Sequence, residues 1–158
     1  MSDYNLETIQ SMVQKDHAIS QQLLTLLQNE TASIQERNYD SVKAILFDKA
    51  PLLDQLKRHA EIRKQWLTSL YKVADENNWK DFLASFNTPS IDAQWQEVNK
   101  AIDECKTIND TNGLLITRGK KTYSQLLHLL KGNGQQQELY TAKGNKQSTH
   151  SHYTVAKA

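Results

Sequence analysis

Residues 88–131 read TPSIDAQWQEVNKAIDECKTINDTNGLLITRGKKTYSQLLHLLK, and this stretch decides the fold. A stripe recurs through it at alternating four- and three-residue steps: Ile91, Trp95, Val98, Ile102, Cys105, Asn109, Asn112, Ile116, Gly119, Tyr123, Leu126 and Leu130. That spacing puts all twelve on one face of an α-helix. The stripe keeps its phase through Asn112-Gly113, a dipeptide that usually announces a turn. Thr88 before Pro89 is a helix start, a capping hydroxyl followed by proline at the first helical position. Asp92 adds negative charge at the positive end of the helix dipole. The spacing predicts one helix over Pro89–Lys131, about 60 Å long at 1.5 Å per residue. A sustained seven-residue repeat implies a left-handed supercoil with its neighbours.

Those neighbours lie upstream. Leu6, Ile9, Met12, Val13, Ile19, Leu23, Leu24, Leu26, Leu27 and Ile34 predict a first helix from about Asn5 to Glu36. Residues 37–40 form the turn, with Asp40 the expected N-cap of a second helix over Ser41–Glu76. Its seam is Val42, Leu46, Leu53, Leu56, Ala60, Leu67, Leu70 and Ala74, widened by Ile45, Leu52, Ile62, Trp66 and Val73. Pro51 inside it removes one backbone donor, at about 3 kcal/mol unless packing compensates, and predicts a kink or a break. Asn77-Asn78 is the expected stop. Trp79, Phe82, Leu83 and Phe86 then mark a short amphipathic helix closing one end of the bundle. The predicted class is all-α: an elongated antiparallel three-helix bundle with a short extra helix and a flexible C-terminal tail. The bundle is expected over residues 1–132 and a basic tail over 133–158.

The 158 residues, only 38% hydrophobic, suit an elongated bundle better than a compact α/β enzyme. A net charge of +1 gives no reason to expect nucleic acid as a partner. The single cysteine, Cys105, sits on the stripe and reads as a small core residue. No apolar run is long enough to span a membrane, and Met1-Ser2-Asp3 does not open a signal peptide, so the cytoplasm is the expected compartment. Asn29-Glu30-Thr31 and Asn109-Asp110-Thr111 are then chance glycosylation matches. No phosphate loop, dinucleotide fingerprint, HExxH or CxxC occurs. His17, His59 and His128 lie on different helices without metal-ligand spacing, and His150 and His152 fall in the tail. Lys57-Arg58-His59 and Glu61-Ile62-Arg63-Lys64 read as a solvated helix face. The chain is expected to have no catalytic residues, no metal and no cofactor, and not to be an enzyme.

What remains is binding. Asn109 and Asn112 are a polar fault in the stripe, either a register-setting pair or the point where cover by the first two helices ends. Gly119 permits a close backbone approach by a neighbouring helix or a ligand. Residues 114–116 and 126–130 are apolar nearly all round, more than one seam of a three-helix bundle buries. Gly132-Asn133-Gly134 is the expected helix stop. From Lys131 to Ala158 the chain has Lys131, Lys143, Lys146 and Lys157 against the single acid Glu138; beyond the stop it is polar and reads as disordered in isolation.

The C-terminal third carries Trp95-Gln96-Glu97-Val98, Asn109-Asp110-Thr111-Asn112-Gly113-Leu114-Leu115, Gln125 with Leu126 and Leu129-Leu130, and Leu139-Tyr140-Thr141-Ala142-Lys143-Gly144. In these motifs it resembles the flagellar export chaperone FlgN family. The resemblance implies a cytoplasmic chaperone of the flagellar type III export system. It implies two partners: the C-terminal regions of hook-associated proteins of the hook–filament junction, kept from polymerising, and the cytoplasmic domain of the export gate. Contact with the membrane would be indirect, through the export apparatus. Client binding is then expected at Leu115, Ile116, Tyr123, Leu126, Leu127 and Leu130, and gate docking at Tyr140. The competing readings are a structural coiled-coil homodimer closed by the excess leucines, and a helical adaptor that transports no client.

Overall fold

A computed structural model of the chain describes the backbone of residues 4–141 and the side chains of residues 4–131. Among the described residues it contains four helices and no strand. They are α1 (Leu6–Gln35), α2 (Tyr39–Tyr71), α3 (Glu76–Ala84) and α4 (Pro89–Thr141). The chain divides into two compact units, Met1–Asn112 and Gly113–Ala158.

Capping side chains set the boundaries. Asn5 accepts a hydrogen bond from the Thr8 amide at 2.7 Å and starts α1. The cap of α2 is Asn38, which accepts from the Ser41 amide at 3.2 Å; Asp40 lies inside the first turn instead of capping it. Arg37, with φ of 58°, makes the sharp exit that lets Asn38 take that role. α2 carries Pro51 without a break but stops at Tyr71, short of the expected Glu76, with Lys72 left-handed at φ of 65°. The reason is Asp75. Its carboxylate accepts from the Asn78 amide at 2.8 Å and nucleates α3, so Asn77 and Asn78 begin a helix rather than end one. α4 begins at Pro89 as expected, but continues past Gly132-Asn133-Gly134 to Thr141. Two glycines cost a helix about 1 kcal/mol each relative to alanine, and the helix-forming Gln135–Leu139 run follows them. Residues 142–158, the rest of the expected tail, lie outside the described residues.

Within the first unit the chain runs up, down and up again. Near the α3 end, Ile9, Met12 and Val13 of α1 meet Trp66 and Leu67 of α2, Trp79, Phe82 and Leu83 of α3, and Ile91 of α4. Tyr4, Phe86 and Trp95 pack around them. Edge-to-face pairs such as Tyr4–Phe82, at 5.4 Å between centroids, fix the geometry of this end. Further along, Ile19, Leu23, Leu27 and Cys105 form a second cluster, flanked by Leu52, Leu56 and Ile108. Each such buried side chain contributes roughly 1.5–3 kcal/mol relative to exposure. The α3 aromatics are therefore core, as their spacing predicts. The seam of α4 runs through Ile108 and Asn112, leaving Asn109 exposed.

The α2 seam is only half covered. Val42, Ile45, Trp66 and Leu67 are buried, whereas Leu46, Leu53 and Leu70 are exposed. Charge takes part of the space. Asp16 of α1 is buried and paired with both His59 and Arg63 of α2. The guanidinium of Arg63 also lies 4.9 Å from the Trp95 ring centroid and 5.7 Å from that of Trp79. His59 and Arg63 thus belong to the interior, not to a solvated face. Glu30 and Lys49 make a second buried pair at 2.7 Å. Removing one partner from such a pair strands the other charge, which holds α1 and α2 in one register.

Candidate functional site

Asn112 is the last residue of the first unit and is 1% exposed. Its amide nitrogen donates to the Leu27 carbonyl at 3.1 Å and to the Glu30 carboxylate at 3.0 Å. Its oxygen accepts from the Thr31 hydroxyl at 2.6 Å. The polar fault is therefore a satisfied register lock between α4 and α1, reinforced by Lys49 through Glu30. Its local signal was the break in the apolar stripe. The partners Glu30 and Asp16 carried a signal too: with Ile9, Val13, Ser20, Leu23 and Leu27 they occupy the buried phase of α1 at three- and four-residue steps.

After Asn112 the side chains of α4 change character. Leu114, Tyr123, Leu126, Leu129 and Leu130 are exposed, from 55% at Leu126 to 71% at Leu130. Leu115, Ile116 and Leu127 are half-buried. At 3.6 residues per turn, Leu115, Ile116, Tyr123, Leu126, Leu127 and Leu130 fall within an arc of about 120°. All six residues expected to bind a client share that arc. Leu114 and Leu129 lie outside it. Gly119 sits in its middle, and apart from its chain neighbours and the helix's own backbone nothing lies within 4 Å of where a Cβ would be. The glycine thus opens a notch in an exposed face that none of the described residues fills. Lys120 and Arg118 are exposed at its two sides, Lys121 is exposed on the opposite face, and residues 114–131 include no acid. Tyr140 lies near the C-terminal end of α4, and its side chain is outside the described residues.

Other chemistry is sparse. Cys105 is a buried free thiol whose pKa is raised by burial and by the nearby Glu104 carboxylate, which keeps it neutral. His17 meets Glu97 at 3.0 Å, a pair unseen at sequence level because it joins two helices. Among the described residues there is no cluster of three metal-ligating side chains, and no helix is long and apolar enough to cross a membrane.

The molecule is an all-α protein whose bundle ends in a helix with an uncovered leucine face. Its sequence matches the family described as FlgN protein over residues 1–148, and the chain belongs to that family. It is similar to the flagella synthesis protein FlgN of Escherichia coli (strain K12), at 28% identity over 123 residues, covering 70% of this chain and 88% of the relative. No solved structure matches the chain.

Proposed function

We propose that this protein is a cytoplasmic, non-enzymatic chaperone of flagellar assembly. It binds the C-terminal regions of hook-associated proteins, prevents their premature polymerisation, and delivers them to the cytoplasmic domain of the export gate. Membership of the FlgN family and a relative named for flagella synthesis support the flagellar setting. The observation that carries the binding role is the 120° apolar arc, with Tyr123, Leu126 and Leu130 all more than half exposed. An uncovered amphipathic helix of this kind accepts a second amphipathic helix along i, i+3, i+4 and i+7 anchors. Covering a client's own assembly surface in this way keeps it from polymerising. The notch at Gly119 admits a bulky client side chain or a close backbone crossing. The basic margins favour a client helix with acidic flanks, through steering that weakens as salt rises.

Calorimetry with a hook-associated client tests the arc. Leu126→Glu/Leu130→Glu should abolish detectable binding while the helical spectrum stays unchanged. Wild-type affinity in the folded double variant would sink the proposal. Gate docking is tested separately: Tyr140→Ala should keep client affinity and lose gate binding in a pull-down, and unchanged gate binding would remove Tyr140 from the role. A chain that takes up no client in light scattering would leave the structural or adaptor reading.

A further inference from the structure

The net charge of +1 conceals an uneven division. The second unit, residues 113–158, carries seven Lys and Arg against the single acid Glu138, a formal +6; the first unit holds the other twelve basic and seventeen acidic residues, a formal −5. Part of the basic excess flanks an apolar helix face. Residues 114–131 make about five turns, roughly 27 Å, without one acid. Tyr123, Leu126 and Leu130 in the arc are each more than half exposed. Leu129, 63% exposed, lies about 40° beyond the edge of the arc and widens it. Arg118 and Lys120, both exposed, come next, about 100° to either side of Gly119.

We propose that this segment of α4 lies flat on an anionic lipid bilayer, with its leucine arc at the boundary between headgroups and acyl chains. This direct contact goes beyond the indirect one that the family resemblance implies, and it does not depend on client binding. A basic amphipathic helix is the form that such surfaces bind. Arg118 and Lys120 stand at the two sides of the arc, where aliphatic stems run along the apolar surface and charges reach lipid phosphates. Each is drawn to an anionic leaflet, and no acid on the segment offsets them. The leucines exclude a partner that offers charge alone. A nucleic acid backbone presents phosphate and sugar, with no apolar depth for Leu126 and Leu130 to enter. No helix among the described residues is long and apolar enough to cross a membrane, so the segment rests on the surface. A face sunk in lipid is closed to a client helix, so the two occupants exclude each other.

Co-sedimentation of the full-length chain with phosphatidylglycerol vesicles, and with phosphatidylcholine vesicles beside them, decides the matter. No client is present, so the outcome is independent of the calorimetry above. The chain should partition onto the anionic vesicles at least about tenfold more strongly than onto the neutral ones, and the preference should shrink as salt is raised. Lys120→Gln should lower the partition coefficient about fivefold, whereas Lys121→Gln, which removes the same charge from the opposite face, should lower it less than about twofold. Leu126→Gln/Leu130→Gln, which leaves the charge unchanged, should lower it at least about tenfold. The exposure of all four side chains predicts an unchanged helical spectrum. Three results would each overturn the proposal. One is no binding at about 1 mM lipid, well above the range in which a single weak anchor binds. Another is equal losses from Lys120→Gln and Lys121→Gln. The third is binding indifferent to the leucine pair, which is how a partner of charge alone would behave.

Discussion

The two parts of α4 differ in fate although their sequences repeat at the same spacing. From Ile91 to Cys105 the stripe is core: Ile91, Val98 and Cys105 are between 2% and 7% exposed. From Leu114 to Leu130 equally apolar residues stand mostly in solvent. Periodicity declares that a helix has an apolar face. Whether anything covers that face depends on the lengths of its neighbours and on where their polar residues fall. Asn112 marks the change, and its three hydrogen bonds to α1 fasten the covered part at its end.

Truncation separates the two parts most sharply. Leu83→Ala, in the aromatic end of the bundle, should cost about 2–5 kcal/mol of unfolding free energy in a denaturant titration, whereas Leu130→Ala should stay within about 0.5 kcal/mol. Equal losses at both sites would break the comparison. As large, Asp16→Ala leaves Arg63 and His59 without their buried acid and should cost about 3–5 kcal/mol, with chemical denaturation as the readout. Gly119→Ala should act in the opposite direction. Nothing obstructs the new methyl, so stability should rise by about 0.5–1 kcal/mol in thermal melts. If a client helix uses the notch, its affinity should fall in the same variant. The smallest effect concerns Cys105. Its raised pKa makes the folded thiol a weaker acid than the unfolded one. Its contribution to stability is therefore full below the unfolded thiol pKa and is lost as pH rises through the folded value. Native protein should resist thiol-reactive dyes at neutral pH and react only on unfolding.

Much of the fold was legible because its signals are local. Asn5 and Thr88-Pro89 announce helix starts, and the spacing of Trp79, Phe82 and Leu83 announces a buried face. The misreadings come from competing local signals. Asn38 and Asp40 are both good caps, and the reversal at Arg37 chooses Asn38. Asn77-Asn78 resembles a helix end until Asp75, three residues before Asn78, caps it as a beginning. Gly132 and Gly134 resemble a stop, yet a helix tolerates two glycines when good helix formers follow. In the candidate site, Ile116, Tyr123, Leu126 and Leu130 were legible from the stripe, and Leu115 and Leu127 from the apolar runs that hold them. Their exposure was not, since the seven-residue spacing of Tyr123 and Leu130 is that of Val98 and Cys105.

The sequence by itself determined the helical class, the main helix starts, the heptad phase of α4 and the position of its polar fault, because each depends on residues within a few turns of one another. Tertiary structure alone decided which faces are covered. It turned His59 and Arg63 inward to Asp16, bound Asn112 to Leu27, Glu30 and Thr31, and left Phe47 and Leu130 in solvent. Burial and ion pairing belong to pairs of elements, and residues that meet across 43 to 85 positions of chain leave no local pattern that names their partner.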